Sequence, residues 1–337
     1  MTASLTQLRF GKLLKSKKGR ISISLFGLIL LISLFAEFIA NDKPVLIRYD
    51  GSFYFPIIAT YAETEFGGDF ETEPDYKDPY VKNLINSKGF YIMPPIAYSY
   101  NTINFALGSP PPVAPSHANL LGTDDLGRDV LARLIYGVRI SLLFGISLTI
   151  LSSIVGILLG AMQGFYGGLF DLVMQRFIEI WSNMPTLFIL IILSSIITPN
   201  FFWLLMILFA FSWMALVGPV RAEFLKNRKL EYIKAARACG ISESSIIFKH
   251  LLPNALVSTL TFLPFILSGS IITLTSLDFL GFGMPAGSAS LGELLAQGKN
   301  NVSAYWIGLT GFFVTGFLLT ILIFVGESVR DSFRNDS

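Results

Sequence analysis

Three carboxylates crowd six residues at Asp124, Asp125 and Asp129, and acids so close together could ligate a hard cation. The neighbouring residues offer cheaper uses for them. Thr123 can cap a following helix, Asp124 and Asp125 suit the positive end of its dipole, and an Asp can pair with Arg128. No metal site is therefore expected. The other chemistry-bearing residues are sparse. Cys239 is the single cysteine, and the two histidines, His117 and His250, lie far apart. These exclude an internal disulfide, a multi-Cys metal site and a multi-His cluster. Neither a phosphate loop of the G-x-x-x-x-G-K-[ST] type nor a G-x-S-x-G nucleophile elbow occurs. A hydrolase working at membrane depth would have only His250 as a base, so no catalytic residue is assigned.

The elements that must carry these residues follow from composition. The chain has 337 residues, is 53% hydrophobic and only 14% charged, with 30 Phe; soluble domains carry about 25% charged residues. What charge there is comes in clumps. No Asp, Glu, Lys or Arg falls in 21–36, 140–170, 180–220, 250–277 or 300–326. A hydrocarbon core takes about 20 apolar residues in helical form, so each run is a candidate span, and the run Ile180–Val220 holds two, divided at Thr198-Pro199-Asn200. The expectation is an all-α polytopic membrane protein with six transmembrane helices at 21–40, 141–163, 172–198, 201–221, 255–278 and 304–326. The first run is too long for a signal peptide, and Phe38-Ile39-Ala40 makes a poor cleavage site.

Residues 1–20 hold six basic groups and no acid, which places this tail in the cytoplasm by the positive-inside rule. Six spans return the tail 331–337 to the same side. The loop 221–254 also lands inside, with seven basic residues against three acids over 221–250. The segment 41–119 falls outside, with nine acids against five basic residues, ten of the 16 prolines and eight of the 12 tyrosines. Its β-like runs Val45–Tyr49, Phe53–Ile58 and Phe90–Ile92 are broken by Pro and Gly. They predict an irregular, partly β external segment with little core of its own. Residues 124–139 read as an amphipathic helix along the outer interface, with Leu126, Val130, Leu131, Leu134, Ile135 and Val138 on one face.

Three other patterns bear on function. Glu231–Ala238 is made of good helix formers, Gly240 suits a left-handed C-terminal position and Ser242 can cap a second helix. Ala235 and Ala236 leave a smooth surface that a second protein could approach. Gly156, Gly160 and Gly164 form a small-residue ridge for close helix contact, either within the chain or with a partner. The fifth span carries Ser268, Ser270, Thr273 and Thr275 above Pro264, residues that suit a wall of a hydrated path or hydrogen bonds between helices.

The stretch Lys234-Ala235-Ala236, Gly240 and Leu252-Pro253, with Glu231 ahead of it, resembles the EAA loop of ABC-importer permeases, with Lys234 in place of the usual Glu and His250 in place of Ile. Leu121-Gly122-Thr123-Asp124-Asp125-Leu126-Gly127-Arg128-Asp129, followed by Arg133, Tyr136, Gly137, Arg139 and Ser141, is similar to the opening of dipeptide and oligopeptide permeases of the second-subunit type. Leu277–Gly283 and Leu291-Gly292-Glu293 match the same branch, so the resemblance covers about 120–330 as a permease core. The external segment, through Ala40–Pro44 and Arg48–Gly51, resembles the microcin C-type peptide importers in particular.

The resemblance implies a permease subunit of an ATP-driven importer in the bacterial inner membrane that moves peptides and does no bond chemistry. It further implies a second homologous permease, a cytosolic ABC ATPase that binds ATP and Mg, an extracytoplasmic peptide-binding protein and a lipid environment. The family's coupling role falls on Glu231, Lys234, Ala235, Ala236, Gly240, Leu252 and Pro253. The outer signature falls on Gly122, Thr123, Asp124, Gly127, Arg128 and Asp129. Neither a cofactor in this chain nor a nucleic-acid partner is expected. The competing expectation is a channel or secondary transporter without ATP coupling, which would leave the EAA-like loop unused and usually shows an internal repeat.

Overall fold

A computed structural model describes Leu13 and residues 16–194, 196–285 and 287–333. Most of the basic tail 1–20 and residues 334–337 of the last tail lie outside the described residues. The helices are α1 (Lys17–Leu34), α2 (Ala36–Ile39), α3 (Pro79–Lys88), α4 (Val130–Tyr166), α5 (Gly168–Ser182), α6 (Thr186–Ser194), α7 (Phe201–Ser212), α8 (Val217–Asn227), α9 (Glu231–Ala238), α10 (Glu243–Ser245), α11 (Leu252–Leu260), α12 (Leu263–Phe279), α13 (Leu291–Asn300) and α14 (Tyr305–Phe333). The described residues also form three short strands, β1 (Leu46–Tyr49), β2 (Ser52–Tyr54) and β3 (Gly89–Ile92), and shorter helical turns at Glu63–Phe66, Trp213–Leu216 and Ile246–Leu251. By contacts the chain divides into two units, one of Met1–Gly27, Leu142–Pro285 and Gly316–Ser337, the other of Leu28–Ser141 and Ala286–Thr315.

Among the described residues, three helices are long and apolar enough to cross a membrane: Val130–Tyr166, Phe201–Asn227 and Tyr305–Ser332. Two helix pairs pass the same test together but are bent, α5 with α6 by 60° and Glu243–Leu260 with α12 by 55°. The bends have local causes. Pro185 lacks the N–H that would carry α5 onward, and Asn183 Nδ2 donates to Glu179 O at 2.6 Å, closing the last turn. At the second bend Thr261 Oγ1 donates to Ser258 O at 2.7 Å, and Pro264 stands at the start of α12. An uninterrupted helix over 172–198 or 255–278 is thus not what forms. Nor is there a separate interfacial helix over 124–139: residues 124–129 are a turn, and from Val130 the chain runs unbroken for 37 residues. No Pro stands between Val130 and Tyr166 to end it.

In the second unit, β2-β1-β3 make an antiparallel sheet, with Arg48 opposite both Phe53 and Phe90. The alternation that predicts strands places Ile47 and Tyr49 on the inner face, where they meet Phe66, Tyr76, Val81 and Ile85. Phe66 is edge-on to Tyr49, Tyr54 and Tyr76, with centroids 5.2–6.2 Å apart. The segment therefore does build a core, and its tyrosines are the material. Residues 55–58 continue as turn rather than strand.

In the first unit, Gly156, Gly160 and Gly164 face the helix Phe201–Asn227 of the same chain. A Cβ on them would lie 2.5 Å from Trp213 O, 2.7 Å from Val217 O and 2.5 Å from Phe224 Cβ respectively. The ridge is used inside the chain.

Candidate functional site

The EAA-like loop is built on α8 and the end of α4. The Arg221 guanidinium forks onto Asp171, with Nε–Oδ1 and Nη2–Oδ2 both 2.6 Å, a bidentate pairing that fixes orientation as well as distance. Arg228 Nη1 donates to Gly164 O at 3.1 Å and Phe165 O at 3.0 Å, covering carbonyls that the end of α4 leaves open. After these two clamps the chain turns into α9. Ile233 is fully buried among Phe165, Leu216, Val220, Phe224, Ile246 and Leu251. The Arg237 guanidinium lies 5.1 Å from the Phe165 ring centroid.

The opposite face of α9 is free. Glu231 and Lys234 pair at 2.8 Å in full view of solvent, Ala235 is exposed and Ala236 is half-buried. The helix stops as its sequence predicts: Gly240 takes φ +73°, its N–H donates to Arg237 O at 3.0 Å, and Ile241 N–H donates to Ala236 O at 3.1 Å. Among the described residues no atom lies within 4 Å of a Cβ built at Gly240, so backbone conformation alone calls for glycine. Ser242 Oγ accepts from Ser245 N–H and opens α10. Leu252 packs against the same cluster as Ile233, while Pro253 is exposed in the first turn of α11. The result is a short helix anchored by Ile233, with Ala236 and Arg237 packed beside it, next to two arginine clamps and with a smooth outer face.

Ile233→Ala is expected to cost about 2–5 kcal/mol locally, the range for emptying a buried Ile site. Hydrogen exchange over 231–241 should quicken while exchange in α4 is unchanged. Unaltered exchange over 231–241 would show that Ile233 is not the anchor.

The outer signature forms a second cluster. Gly122 takes φ +75°, and a Cβ there would sit 2.7 Å from Trp306 Nε1 and from Val113 O. Thr123 does not cap a helix: its hydroxyl accepts from Val113 N–H at 2.8 Å, and its carbonyl accepts from Trp306 Nε1 at 3.2 Å. The cap of α4 is Asp129, whose Oδ1 accepts from Ala132 N–H at 2.8 Å and whose Oδ2 accepts from Asn119 Nδ2 at 2.8 Å. Burial pushes the Asp129 carboxyl above its ordinary range, opposed by those hydrogen bonds.

Asp124 is fully buried. Its Oδ1 accepts from the amides of Leu126 and Arg128, at 3.0 and 2.9 Å, and its Oδ2 lies 2.7 Å from Arg128 Nε and 3.4 Å from Arg133 Nε. Glu293 completes the network, 3.4 Å from Arg128 and 2.8 Å from Arg133. Arg133 also donates to Tyr100 O at 3.1 Å and Ser288 O at 2.8 Å. Gly127 turns the chain at φ +82°. Asp125 is exposed and makes no ion pair with this network, although it lies within electrostatic reach of Arg128 and Arg133. Among the described residues no three His, Cys, Asp or Glu are grouped to hold a metal ion.

The four hydroxyl residues of α12 separate. Ser268, Ser270 and Thr275 are buried within the chain, and Ser268 and Ser270 donate to the carbonyls of Pro264 and Ile266. Thr273 is exposed, on one stripe with Gly269, Ile272 and Ser276. Sequence reading also passed over Arg176 and Glu179, enclosed in the expected third span. The signal was available as two charges three residues apart on a segment otherwise apolar.

The family model described as "Binding-protein-dependent transport system inner membrane component" matches residues 156–335. The chain is 56% identical over 327 residues to the inner membrane ABC transporter permease protein YejE of Escherichia coli (strain K12), covering 97% of this chain and 96% of that one. It is 52% identical to the peptidoglycan transport system permease protein YejE of Agrobacterium fabrum, covering 97% and 92%. The oligopeptide transport system permease protein OppC of Bacillus subtilis is 33% identical over 70% of this chain and 76% of its own.

Proposed function

Because this chain belongs to the family of binding-protein-dependent transport system inner membrane components, we infer that it works as the permease subunit of an ATP-driven peptide importer. It is a multi-pass inner-membrane protein and not itself an enzyme; ATP is hydrolysed on separate subunits. The finer reading has six spans, with α1 as the first and the two bent helix pairs as one span each. Both termini lie in the cytoplasm and 41–119 lies outside. A second homologous permease closes the path, an ATPase with its ATP and Mg docks beneath, and a peptide-binding protein delivers above. The likeness to the oligopeptide permease OppC supports oligopeptides as cargo, peptides of the microcin C type among them, while the Agrobacterium relative is named for peptidoglycan transport.

The observation that carries the mechanism is α9, with its exposed Ala235 face, anchored through Ile233 and the Arg221 and Arg228 clamps. ATP-driven closure of the ATPases pushes this face, and the clamps pass the movement to α4 and α5 as a rigid displacement. Peptide then meets a path whose two states bind it unequally, which is the condition for one-way transport. Thr273, with Gly269 and Ser276, is the part of α12 placed to line that path, while Ser268, Ser270 and Thr275 support it from within.

Ala235→Glu and Gly240→Val test the coupling. Peptide uptake should fall by about tenfold or more, and the ATPase should co-purify less well, while the amount of membrane-inserted permease is unchanged. An ATPase that stays bound and coupled through both changes would refute this role for the loop.

A further inference from the structure

No residue of α5 is buried, although the helix forms part of a membrane-crossing candidate. One arc is polar. Asp171 and Gln175 face the chain itself, bonded to Arg221 and to Gln163. Arg176, Glu179 and Asn183 face away from it. Arg176 and Glu179 pair with one another, their side chains 71% and 55% exposed.

Their depth can be read from two contacts. Asp171 meets Arg221, and Trp181 Nε1 donates to Ala210 O at 2.8 Å. These register α5 against the antiparallel helix Phe201–Asn227. Spaced evenly between these two contacts, Glu179 then stands level with about Ser212 and Arg176 with about Ala215. Both levels fall inside the charge-free run Ile180–Val220. Exposed charges at that depth face water or a partner and not hydrocarbon, because lipid imposes several kcal/mol on each.

We propose that Arg176 and Glu179 line the hydrated transport path and read the charged ends of a passing peptide, Arg176 taking the carboxylate and Glu179 the ammonium. The proposal rests on the peptide-permease reading above. The pair suits such a ligand because each charge is already balanced at rest, so no bare ion waits in the membrane between cargoes. A peptide end exchanges one charge-assisted hydrogen bond for another as it passes, which allows release as well as capture.

The test uses the complete importer, with both permeases, ATPase and binding protein, in proteoliposomes. One peptide is supplied free, N-acetylated or C-amidated, and each variant is compared with the unaltered importer on the same peptide, which cancels the binding protein's preference. E179Q should slow uptake of peptides with a free amino end by about tenfold, the loss of one hydrogen bond between charged groups. The N-acetylated peptide, already lacking that contact, should show no such loss. R176Q should behave in the same way towards the C-amidated peptide. Equal losses on free and capped peptides, or no loss, overturn the proposal, and continued uptake of capped peptide would leave the permease reading standing.

A second measurement covers variants that assemble poorly. In a Cys239→Ser background, Arg176→Cys and Glu179→Cys should react with a membrane-impermeant thiol reagent, while Phe177→Cys, about 100° or more round the helix from both and stacked on Trp181, should not. Unreactive cysteines at both 176 and 179 would place the pair away from water and overturn the proposal.

Discussion

Asp124→Asn is expected to destabilise the protein by about 3–5 kcal/mol, the cost of removing one partner from a buried ion pair. The replacement is nearly isosteric, so the loss does not come from packing. The amide oxygen can still accept from Leu126 and Arg128 N–H. It is the other oxygen that matters, since Oδ2 faces Arg128 Nε and Arg133 Nε, and an NH2 group there points donors at donors. Arg133 is completely buried and cannot turn to water for compensation. Glu293 would remain as the carboxylate ion-paired with both guanidinium groups. Thermal unfolding in detergent should shift down by roughly 10 °C, by the usual relation of stability to midpoint. Asp125→Asn, one residue away but exposed, should shift it by less than about 1 °C. Equal midpoints for Asp124→Asn and the unaltered protein would mean the network contributes nothing net.

Gly160→Leu carries the other large effect, about 3 kcal/mol or more. A Cβ at this position would lie 2.7 Å from Val217 O and 2.9 Å from Val220 Cβ. A backbone carbonyl in a helix cannot step aside as a side-chain tip can, so α4 and α8 must part. That separation also disturbs Gly156 and Gly164, four residues to either side, and with them the Arg228 contacts to Gly164 and Phe165. Yield of folded protein after detergent extraction should drop sharply. Gly218→Leu is the control: it lies on the same pair of helices, but nothing is within 4 Å of its Cβ. If both variants extract and melt alike, close contact along the ridge is not needed.

The parts of the fold most legible in sequence were those set by neighbours in the chain. Gaps in charge marked the apolar helices, and Gly240 with Ser242 marked the end of α9 and the start of α10. The alternating run Val45–Tyr49 marked β1. What stayed hidden depends on residues far apart. Nothing near Asp124 announces that Glu293 neutralises Arg133, because the two acids are separated by 169 positions. The identity of the helix cap was missed for a related reason: Thr123 is a good capping residue by type, but its hydroxyl is taken by Val113. Ser268, Ser270 and Thr275 illustrate a third limit. Hydroxyl content shows that α12 can tolerate water, yet which side meets it depends on packing, and three of the four turned inward.

The four tryptophans are placed so that each unit reports on itself. Trp181 and Trp213 both donate to Ala210 O, at 2.8 and 2.9 Å, and Trp203 is on the same helix, so three indoles watch one region of the first unit. Trp306 alone watches the second, through its bond to Thr123 O. The sheet and its aromatic core contain tyrosine and phenylalanine but no tryptophan. Light that excites indole selectively therefore leaves the sheet dark. A Trp306→Phe protein and one retaining Trp306 alone would give separate optical signals from a single chain, with no added dye.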